Sequence, residues 1–281
     1  MQIIDAQIHL WAGESAPPHH WRAPYTVDTA LRDMDEAGVN RAVNCPAIWD
    51  ADANDYAVEA AKRHPERFAT LGWFPLDETA DESLVDAWLD KPGMLGLRFM
   101  LAAPEMGEKL ASGGLDWLWA AADRRGIAMG LMVMPPYLPA IGDIAARYPQ
   151  MRLMIDHLAI NPFEKLPDAA AHLGALLALA RHPNVAVKAT GVPSMATDPY
   201  PFASTHGVLR QVFDAYGAER MFWGTDITRL PCSWREAVTM FTEELPWLKG
   251  RDLELVMGRA VADWIGWRCG PARRQGSEEC I

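Results

Sequence analysis

Apolar and polar positions alternate along the chain in a pattern that predicts strands separated by helices. Eight short segments have the length and composition of strands, and most are apolar on both faces, as expected for parallel strands covered on each side. In chain order they are QIIDAQIHLW, NRAVNCPAIW, RFATLGWFPL, MLGLRFML, IAMGLMVMP, RLMIDHLAI, NVAVKATGV and RMFWGTDIT. Amphipathic segments between them predict helices, such as TVDTALRDMDEAG, NDYAVEAAKRH and GLDWLWAAADRRG.

The regular alternation of strand and helix predicts an α/β fold, a (β/α)8 TIM barrel in a single domain. We place the barrel at 1–267 and a polar C-terminal tail at 268–281. The alternative, an open doubly wound sheet, would carry a glycine-rich phosphate turn after the first strand. The segment HLWAGESAPP lacks that turn, and the sequence contains no P-loop.

Three polar residues interrupt the first predicted strand at alternate positions: Asp5, Gln7 and His9. Because side chains alternate between the two faces of a strand, we expect all three to point to one side. Buried polar groups are costly unless partners are provided. For a set of three, this cost favours a functional role over hydrogen-bonded polar groups of the core.

Other polar residues stand near the carboxyl ends of apolar strands, where packing alone predicts Val, Ile or Leu. They are Arg98 on the fourth strand, Asp156 and His157 on the sixth, Lys188 on the seventh and Asp226 on the eighth. The active site of a TIM barrel lies at this end of its strands. We therefore expect these side chains to converge with Gln7 and His9 on one rim.

Charge and composition narrow the range of partners. The chain has 26 Lys and Arg against 37 Asp and Glu, a net charge of -11. It has no basic run that would follow a phosphate backbone, which excludes nucleic acid as a partner. Short apolar stretches and a strand pattern from residue 2 onward predict a cytoplasmic protein with no membrane partner. The four cysteines form no CxxC pair, and we expect no structural disulfide.

Two further motifs, IDHLA on the sixth strand and WGTD on the eighth, join the polar pattern of the first strand. In this order and spacing they resemble the amidohydrolase superfamily, and more narrowly its amidohydrolase-related branch. GLRFM, NVAVKATGV and the closing VMGRAVADWIGW are similar as well, so the resemblance covers nearly the whole chain. The branch includes dicarboxylate lactonases, sugar lactonases and, further off, metal-dependent decarboxylases.

The superfamily pattern implies metal ligands at two alternate histidines of the first strand, one histidine on each of the fifth and sixth strands, and an aspartate on the eighth. Here Gln7 occupies the position of the first histidine, and the fifth strand contains no histidine. His9, His157 and Asp226 remain as the ligands if a metal is bound. Because an amide is a poor zinc ligand, we expect catalysis without a cofactor, with one divalent ion, zinc or manganese, as the alternative.

The resemblance implies hydrolysis of a lactone or similar cyclic ester of a small anionic substrate. Asp226 would take a proton from the attacking water. His9 and His157 would polarise the carbonyl oxygen, and Gln7 would donate a hydrogen bond there. Arg98 would bind a substrate carboxylate through two hydrogen bonds.

Further substrate contacts are expected around these residues. Lys188 is either a second cation for the substrate or the partner of Asp156 or Asp226. The other candidate substrate contacts are Trp11, Trp49, Tyr137 and Arg229. In the loop after the first strand, we expect His19 and His20 to be solvated.

Two other functions stay open at this point. A decarboxylase or other lyase on the same barrel would need a metal to stabilise carbanion-like charge. A non-catalytic binding barrel would not need His9, His157 and Asp226 together. Sugar lactones, pyrone dicarboxylates and aromatic carboxylates are all compatible substrates, and a homodimer is a candidate assembly because barrels of this type often pair.

Overall fold

Eight parallel strands form the centre of the fold in the computed structural model, which describes residues 1–14, 16–77, 80–160 and 163–268. The strands follow one another in the sheet in chain order, and each pairs in parallel with the next. They are β1 (Ile4–Ile8), β2 (Arg41–Asn44), β3 (Phe68–Trp73), β4 (Met94–Leu101), β5 (Ala128–Val133), β6 (Arg152–Ile155), β7 (Val185–Ala189) and β8 (Met221–Trp223). Each predicted strand segment contains one of them.

Helices connect the strands. They are α1 (Val27–Ala37), α2 (Ala53–Arg63), α3 (Glu82–Leu89), α4 (Pro104–Ala111), α5 (Asp116–Arg125), α6 (Leu138–Arg147), α7 (Leu173–Ala178), α8 (His206–Tyr216), α9 (Trp234–Thr242), α10 (Gly250–Glu254) and α11 (Ala260–Ile265). Local signals set their ends: at α1, the Thr26 side chain accepts a hydrogen bond from Thr29 N, and Gly38 ends the helix with a φ of 78°. Within the described parts of the chain, none of these helices has the length and apolar character needed to cross a bilayer.

Hydrogen bonds from residues just after β8 to β1 bring the two ends of the sheet together and nearly close the barrel. Thr225 N donates a hydrogen bond to the Asp5 carboxylate at 2.9 Å. Gly224 permits the close approach, because a Cβ there would lie 2.5 Å from Thr190 Cγ2 and 2.9 Å from Ala6 N. The prediction of a (β/α)8 barrel is confirmed.

Apolar side chains fill the barrel interior and close its amino end. Small residues such as Ala6, Ala128 and Ala186 pack together inside the barrel. Val261 and Ile265 of α11 belong to the same cluster and cover this end of the strands. The opposite, carboxyl end of the barrel therefore holds the polar side chains.

The first strand departs from the predicted alternation. Its pairing with β2 shifts register between Asp5 and Ile8. Asp5 points toward α9, where its carboxylate accepts a hydrogen bond from Trp234 Nε1 at 3.0 Å. The prediction that Asp5 shares a face with Gln7 and His9 is wrong, because the irregular pairing turns the chain between these residues.

Two predictions concern residues that the structure describes only in part. The tail predicted at 268–281 lies outside the described residues except for Arg268. Cys45 and Cys232 are free thiols. Cys269 and Cys280 lie outside the described residues, so the expectation of no disulfide stays a prediction for them.

Candidate active site

A cavity of about 380 Å³ lies at the carboxyl ends of the barrel strands. The predicted site residues that line it are His9, Trp49, Arg98, His157, Asp226 and Arg229. The other lining residues are Pro17, His19, His20, Ile48, Met132 and Phe163. Four predicted residues lie behind or beside this wall instead: Gln7, Trp11, Tyr137 and Lys188.

Asp226 follows β8 in a left-handed turn with a φ of 54°, a conformation uncommon outside glycine. Its N–H donates to the Gln7 carbonyl at 2.9 Å, which holds the turn in place. Arg229 Nε lies 2.6 Å from Oδ2, and His9 Nε2 lies 3.2 Å from Oδ1. Burial raises the pKa of this carboxyl, but Arg229 and His9 outweigh that effect and hold the pKa well below its ordinary value. Asp226 is therefore ionised at neutral pH.

His9 is fixed by the backbone of the neighbouring strand. Its Nδ1 hydrogen-bonds to the Cys45 carbonyl, which can only accept, so Nδ1 carries a proton. This bond directs Nε2 to the Asp226 carboxylate. The two groups touch without an aligned hydrogen bond, and Asp226 Oδ1 has no hydrogen-bond donor among the described residues. Oδ1 is therefore a buried carboxylate oxygen beside His9.

His157 is held at both ring nitrogens by a chain of hydrogen bonds. Lys188 Nζ donates to Gln7 Oε1 at 3.1 Å, which orients the amide so that Gln7 Nε2 donates to His157 Nε2 at 3.1 Å. His157 Nδ1 then carries the proton and donates to Thr190 Oγ1 at 2.7 Å. Burial, helped by the charge of Arg229, lowers the pKa of His157 to about 3. The ring is therefore neutral.

A buried group of three charges lies beneath the cavity. Asp156 contacts Arg98 Nε at 2.8 Å and Lys188 Nζ at 2.9 Å, and all three side chains are almost fully buried. Burial raises the pKa of Asp156, but Lys188 and Arg98 outweigh it and hold the pKa below its ordinary value. Of the two roles predicted for Lys188, pairing with Asp156 is the one that the structure contains. Arg98 alone of the three lines the cavity.

Two predicted substrate contacts lie outside the cavity wall. Trp11 is fully buried behind Trp49, with ring centroids 5.2 Å apart, and so supports a residue that does line the cavity. The Tyr137 hydroxyl donates to the Ala103 carbonyl at 3.2 Å, and its ring packs beside Gly107. The contacts of both residues are those of supporting side chains.

His20 was expected to lie in a solvated loop. That expectation is wrong, because His20 lines the cavity. It is 7% exposed, and its Nδ1 hydrogen-bonds to Thr228 Oγ1 at 2.7 Å. Its ring lies against Trp49, with centroids 4.2 Å apart, and burial lowers the pKa of His20 to about 3. The reason is tertiary: Trp21 N donates to the Thr228 carbonyl at 2.8 Å, which ties the first loop to the end of β8. The only local sequence signal for the burial of His20 is the apolar residue next to it, Trp21.

The described donors do not fit a catalytic zinc or manganese site. No cluster of three or more His, Cys, Asp or Glu side chains in the described ranges has the geometry to hold a metal ion. The Nε2 of His157 is engaged by Gln7, and Oδ2 of Asp226 is engaged by Arg229. His9 and Asp226 Oδ1 are two donors, fewer than the three protein ligands that a catalytic zinc takes.

Asp5 positions the turn that carries Asp226. Its carboxylate accepts hydrogen bonds from Thr225 N at 2.9 Å, Thr225 Oγ1, Trp234 Nε1 at 3.0 Å and Gln7 N at 3.0 Å. No cation pairs with it among the described residues, and burial raises the pKa of Asp5 to about 7 despite these hydrogen bonds. A buried carboxyl on β1 therefore changes charge close to neutral pH.

We expect Asp5→Asn to remove a pH dependence of stability. The folded state keeps the Asp5 proton up to pH about 7, whereas the unfolded chain releases it near pH 4, so ionisation makes the wild type less stable as pH rises between these values. The free energy of unfolding of the wild type should therefore fall, relative to that of Asp5→Asn, from pH 4 to pH 7. Urea unfolding at several pH values measures this difference. The exposed Asp252→Asn is the control, and a constant difference for Asp5→Asn would contradict the assignment.

Comparison with known sequences identifies the family. The family model described as Amidohydrolase matches residues 4–265. A curated relative, the L-fucono-1,5-lactonase of Burkholderia ambifaria, is 30% identical over 233 residues, covering 79% of this chain and 79% of the relative.

Solved structures share the fold. An amidohydrolase from Burkholderia multivorans with bound HEPES has a TM-score of 0.79 at 19% identity, covering 95% of this chain and 99% of that one. A protein from Pseudomonas putida, described as a 2-pyrone-4,6-dicarboxylic acid hydrolase, has a TM-score of 0.77 at 18% identity, covering 96% and 99% of the two chains. Since the family model spans almost the whole barrel, this chain belongs to the amidohydrolase family.

Proposed function

We propose that this chain is a hydrolase that opens a lactone or similar cyclic ester of a small anionic substrate without a bound metal. The observation that carries the proposal is the ionised Asp226 in the cavity wall, with His9 Nε2 3.2 Å from its Oδ1 and Arg229 Nε 2.6 Å from its Oδ2. The name of the curated relative, a lactonase, supports this reaction class.

Asp226 is the general base of the proposed reaction. Its carboxylate takes a proton from water while the water oxygen bonds to the lactone carbonyl carbon, which gives a tetrahedral intermediate. The ring C–O bond then breaks, and the proton passes from Asp226 to the departing ring oxygen. The product is a hydroxy acid, and Asp226 returns to its ionised form.

Arg98 supplies positive charge for the substrate. It lines the cavity, and Asp156 engages its Nε, so its terminal amino groups are the ones placed to bind a substrate carboxylate or the developing oxyanion. His9 borders the same space beside Asp226. We assign His157 to positioning rather than to polarising the carbonyl, since both of its ring nitrogens are already hydrogen-bonded.

The remaining predicted residues hold this arrangement together. Arg229 holds Oδ2 of Asp226 at 2.6 Å, which fixes the orientation of the carboxylate in the cavity wall. Gln7 and Lys188 orient His157 from behind the cavity. A decarboxylase would need a metal to stabilise carbanion-like charge, and the donors described above do not fit one.

Chelation tests the metal-free part of the proposal. We expect protein purified without added metal to hold far less than one equivalent of zinc or manganese. Its kcat/KM on a lactone panel, followed by acid release, should change by less than about twofold after treatment with a chelator, since no metal-bound water is the nucleophile. Asp226→Asn measured in parallel reports the background rate. Stoichiometric metal together with activity lost on chelation would contradict the proposal.

A further inference from the structure

The segment after β8 carries two of the site residues on a short turn. Asp226 precedes a single turn of 3-10 helix at Ile227–Arg229, and Arg229 is the last residue of that turn. Only two hydrogen bonds of its own backbone hold the turn among the described residues: Arg229 N donates to the Asp226 carbonyl at 3.1 Å, and Leu230 N to that of Ile227 at 3.3 Å. Short 3-10 turns have poor hydrogen-bond geometry. The placement of Asp226 and Arg229 therefore depends on contacts from outside the segment.

The loop between β1 and α1 supplies such contacts. Trp21 N and Arg22 N donate to the Thr228 carbonyl at 2.8 Å and 3.3 Å. Trp11 N donates to the Tyr25 carbonyl at 3.0 Å, which closes the base of the loop. The loop is thus tied at its base to itself and, near Trp21, to the turn that follows β8.

The side chain of Arg22 binds the same segment at three further carbonyls. Its Nη1 donates to the Ile227 carbonyl and, at 3.4 Å, to the Leu230 carbonyl, and its Nη2 donates to the Cys232 carbonyl at 2.8 Å. These carbonyls lie on both sides of Arg229 in the chain. Among the described residues, the guanidinium makes its hydrogen bonds to this backbone alone, so it is placed to hold the segment.

The chemistry of a guanidinium suits this task. Arg presents two amino groups in one rigid plane, whereas Lys presents a single ammonium group on a flexible stem. The rigid plane of Arg22 sets the spacing between the Ile227 and Cys232 carbonyls. Carbonyls at the end of a helical turn lack internal partners and carry partial negative charge, which favours a cation beside them.

We infer that Arg22 is a positioning residue for catalysis, which holds 226–232 so that Asp226 and Arg229 keep their places in the cavity wall; this rests on the proposed lactonase function. Arg22 is not one of the described residues that line the cavity, so it acts through the segment and not on the substrate. A misplacement of about 1 Å at a reacting group costs about 10²-fold in rate. Loss of the Arg22 hydrogen bonds should therefore appear in the rate of the chemical step.

Steady-state kinetics of Arg22→Ala test this role. We expect kcat for lactone hydrolysis to fall by about tenfold or more, with a smaller change in KM, because Arg98 and the wall that receives the substrate stay in place. A low, non-denaturing concentration of guanidinium chloride should restore part of kcat, and sodium chloride at the same ionic strength should not. Arg32→Ala is the matched control, since Arg32 is exposed and pairs only with Asp33 among the described residues.

A second variant covers the case in which Arg22→Ala does not fold. Arg22→Lys keeps the positive charge but not the planar pair of donors, so its kcat should also fall. Full activity of Arg22→Lys would show that charge alone is sufficient and would overturn the inference. A kcat of Arg22→Ala equal to that of Arg32→Ala would overturn it as well.

Hydrogen exchange separates this inference from the proposed function, because it needs no substrate. Peptides covering 226–232 should exchange about tenfold or more faster in Arg22→Ala than in the wild type, since hydrogen bonds from a charged donor are lost. Peptides of β5 at 128–133 should not change, whereas a general loss of stability would speed exchange there too. Unchanged exchange at 226–232 would overturn the inference even if lactones are hydrolysed. Faster exchange at 226–232 alone, in a protein that hydrolyses no lactone, would refute the lactonase function but support the role of Arg22 in holding the segment.

Discussion

Asp226→Asn is expected to lower kcat/KM for lactone hydrolysis by about 10²- to 10⁴-fold, the range that a positioned general base contributes. The substitution keeps the size of the side chain but removes the carboxylate that accepts the proton of water. It also leaves the Arg229 guanidinium, 2.6 Å away, without its counter-charge. The loss should therefore appear in kcat, with a smaller effect on KM.

Steady-state rates on a lactone panel measure this effect, and circular dichroism checks that the barrel is intact. Asp214→Asn is the matched control, because Asp214 is exposed and pairs only with Arg210 within α8 among the described residues. Retention of more than about a tenth of the wild-type kcat/KM would show that another group is the base, since that is less than the smallest effect expected of one.

The positions of the site residues in the barrel follow from local pattern, but their conformations do not. His157 and Asp226 were predicted near the carboxyl ends of their strands, and they lie just after β6 and β8. Each has a φ of 54°, and Leu158 and Ala159 continue the left-handed turn. Such backbone is held by long-range contacts, such as the bond from Asp226 N to the Gln7 carbonyl. No local pattern encodes that bond.

The partners of the buried charged side chains could not be predicted from local sequence patterns either. Lys188 and Gln7 are 181 positions apart in the chain, and their bond decides how the Gln7 amide and His157 are oriented. The sequence left Lys188 with two roles, and the pairing of β6 with β7, which brings Asp156 within 2.9 Å of Lys188, selects one. A buried charged side chain needs an oppositely charged or hydrogen-bonding partner. The fold, and not the local sequence, decides which residue is close enough to be that partner.

Loop residues were the least predictable part of the site. Trp11 was expected at the substrate and His20 in solvent, yet Trp11 is fully buried behind the cavity wall, and His20 lines the cavity. Both outcomes depend on the first loop folding over the end of β8 through Trp21 and Thr228. Hydrophobic periodicity carries no signal for such a contact, because a loop has no repeating face.

Asp156→Asn is expected to destabilise the fold by about 3–5 kcal/mol, the loss typical of breaking a buried ion pair by removing one partner. Asp156 is the only anion in contact with Arg98 and Lys188 among the described residues, and all three side chains are almost fully buried. Without the carboxylate, two cations remain in a medium that solvates them poorly. Urea unfolding of purified variants gives the difference in free energy of unfolding.

Lys188→Met is the comparison that isolates charge from packing. It removes one of the two cations and leaves Arg98 and Asp156 as a pair of opposite charges. We therefore expect it to lower the free energy of unfolding by less than Asp156→Asn does, although it deletes the larger polar group. The double variant should recover part of the loss of Asp156→Asn, because only one cation is then unpaired. A greater loss for Lys188→Met than for Asp156→Asn would contradict this account.

The pH dependence of the same variant supplies an independent check with a defined sign. The pKa of Asp156 is held below its ordinary value in the folded state, so its ionisation stabilises the protein above that ordinary value, near pH 4, and the stabilisation is lost as pH falls. The difference in free energy of unfolding between wild type and Asp156→Asn should therefore be largest at neutral pH and shrink on acidification below about pH 4. A difference that grew toward low pH would place the stabilising charge elsewhere.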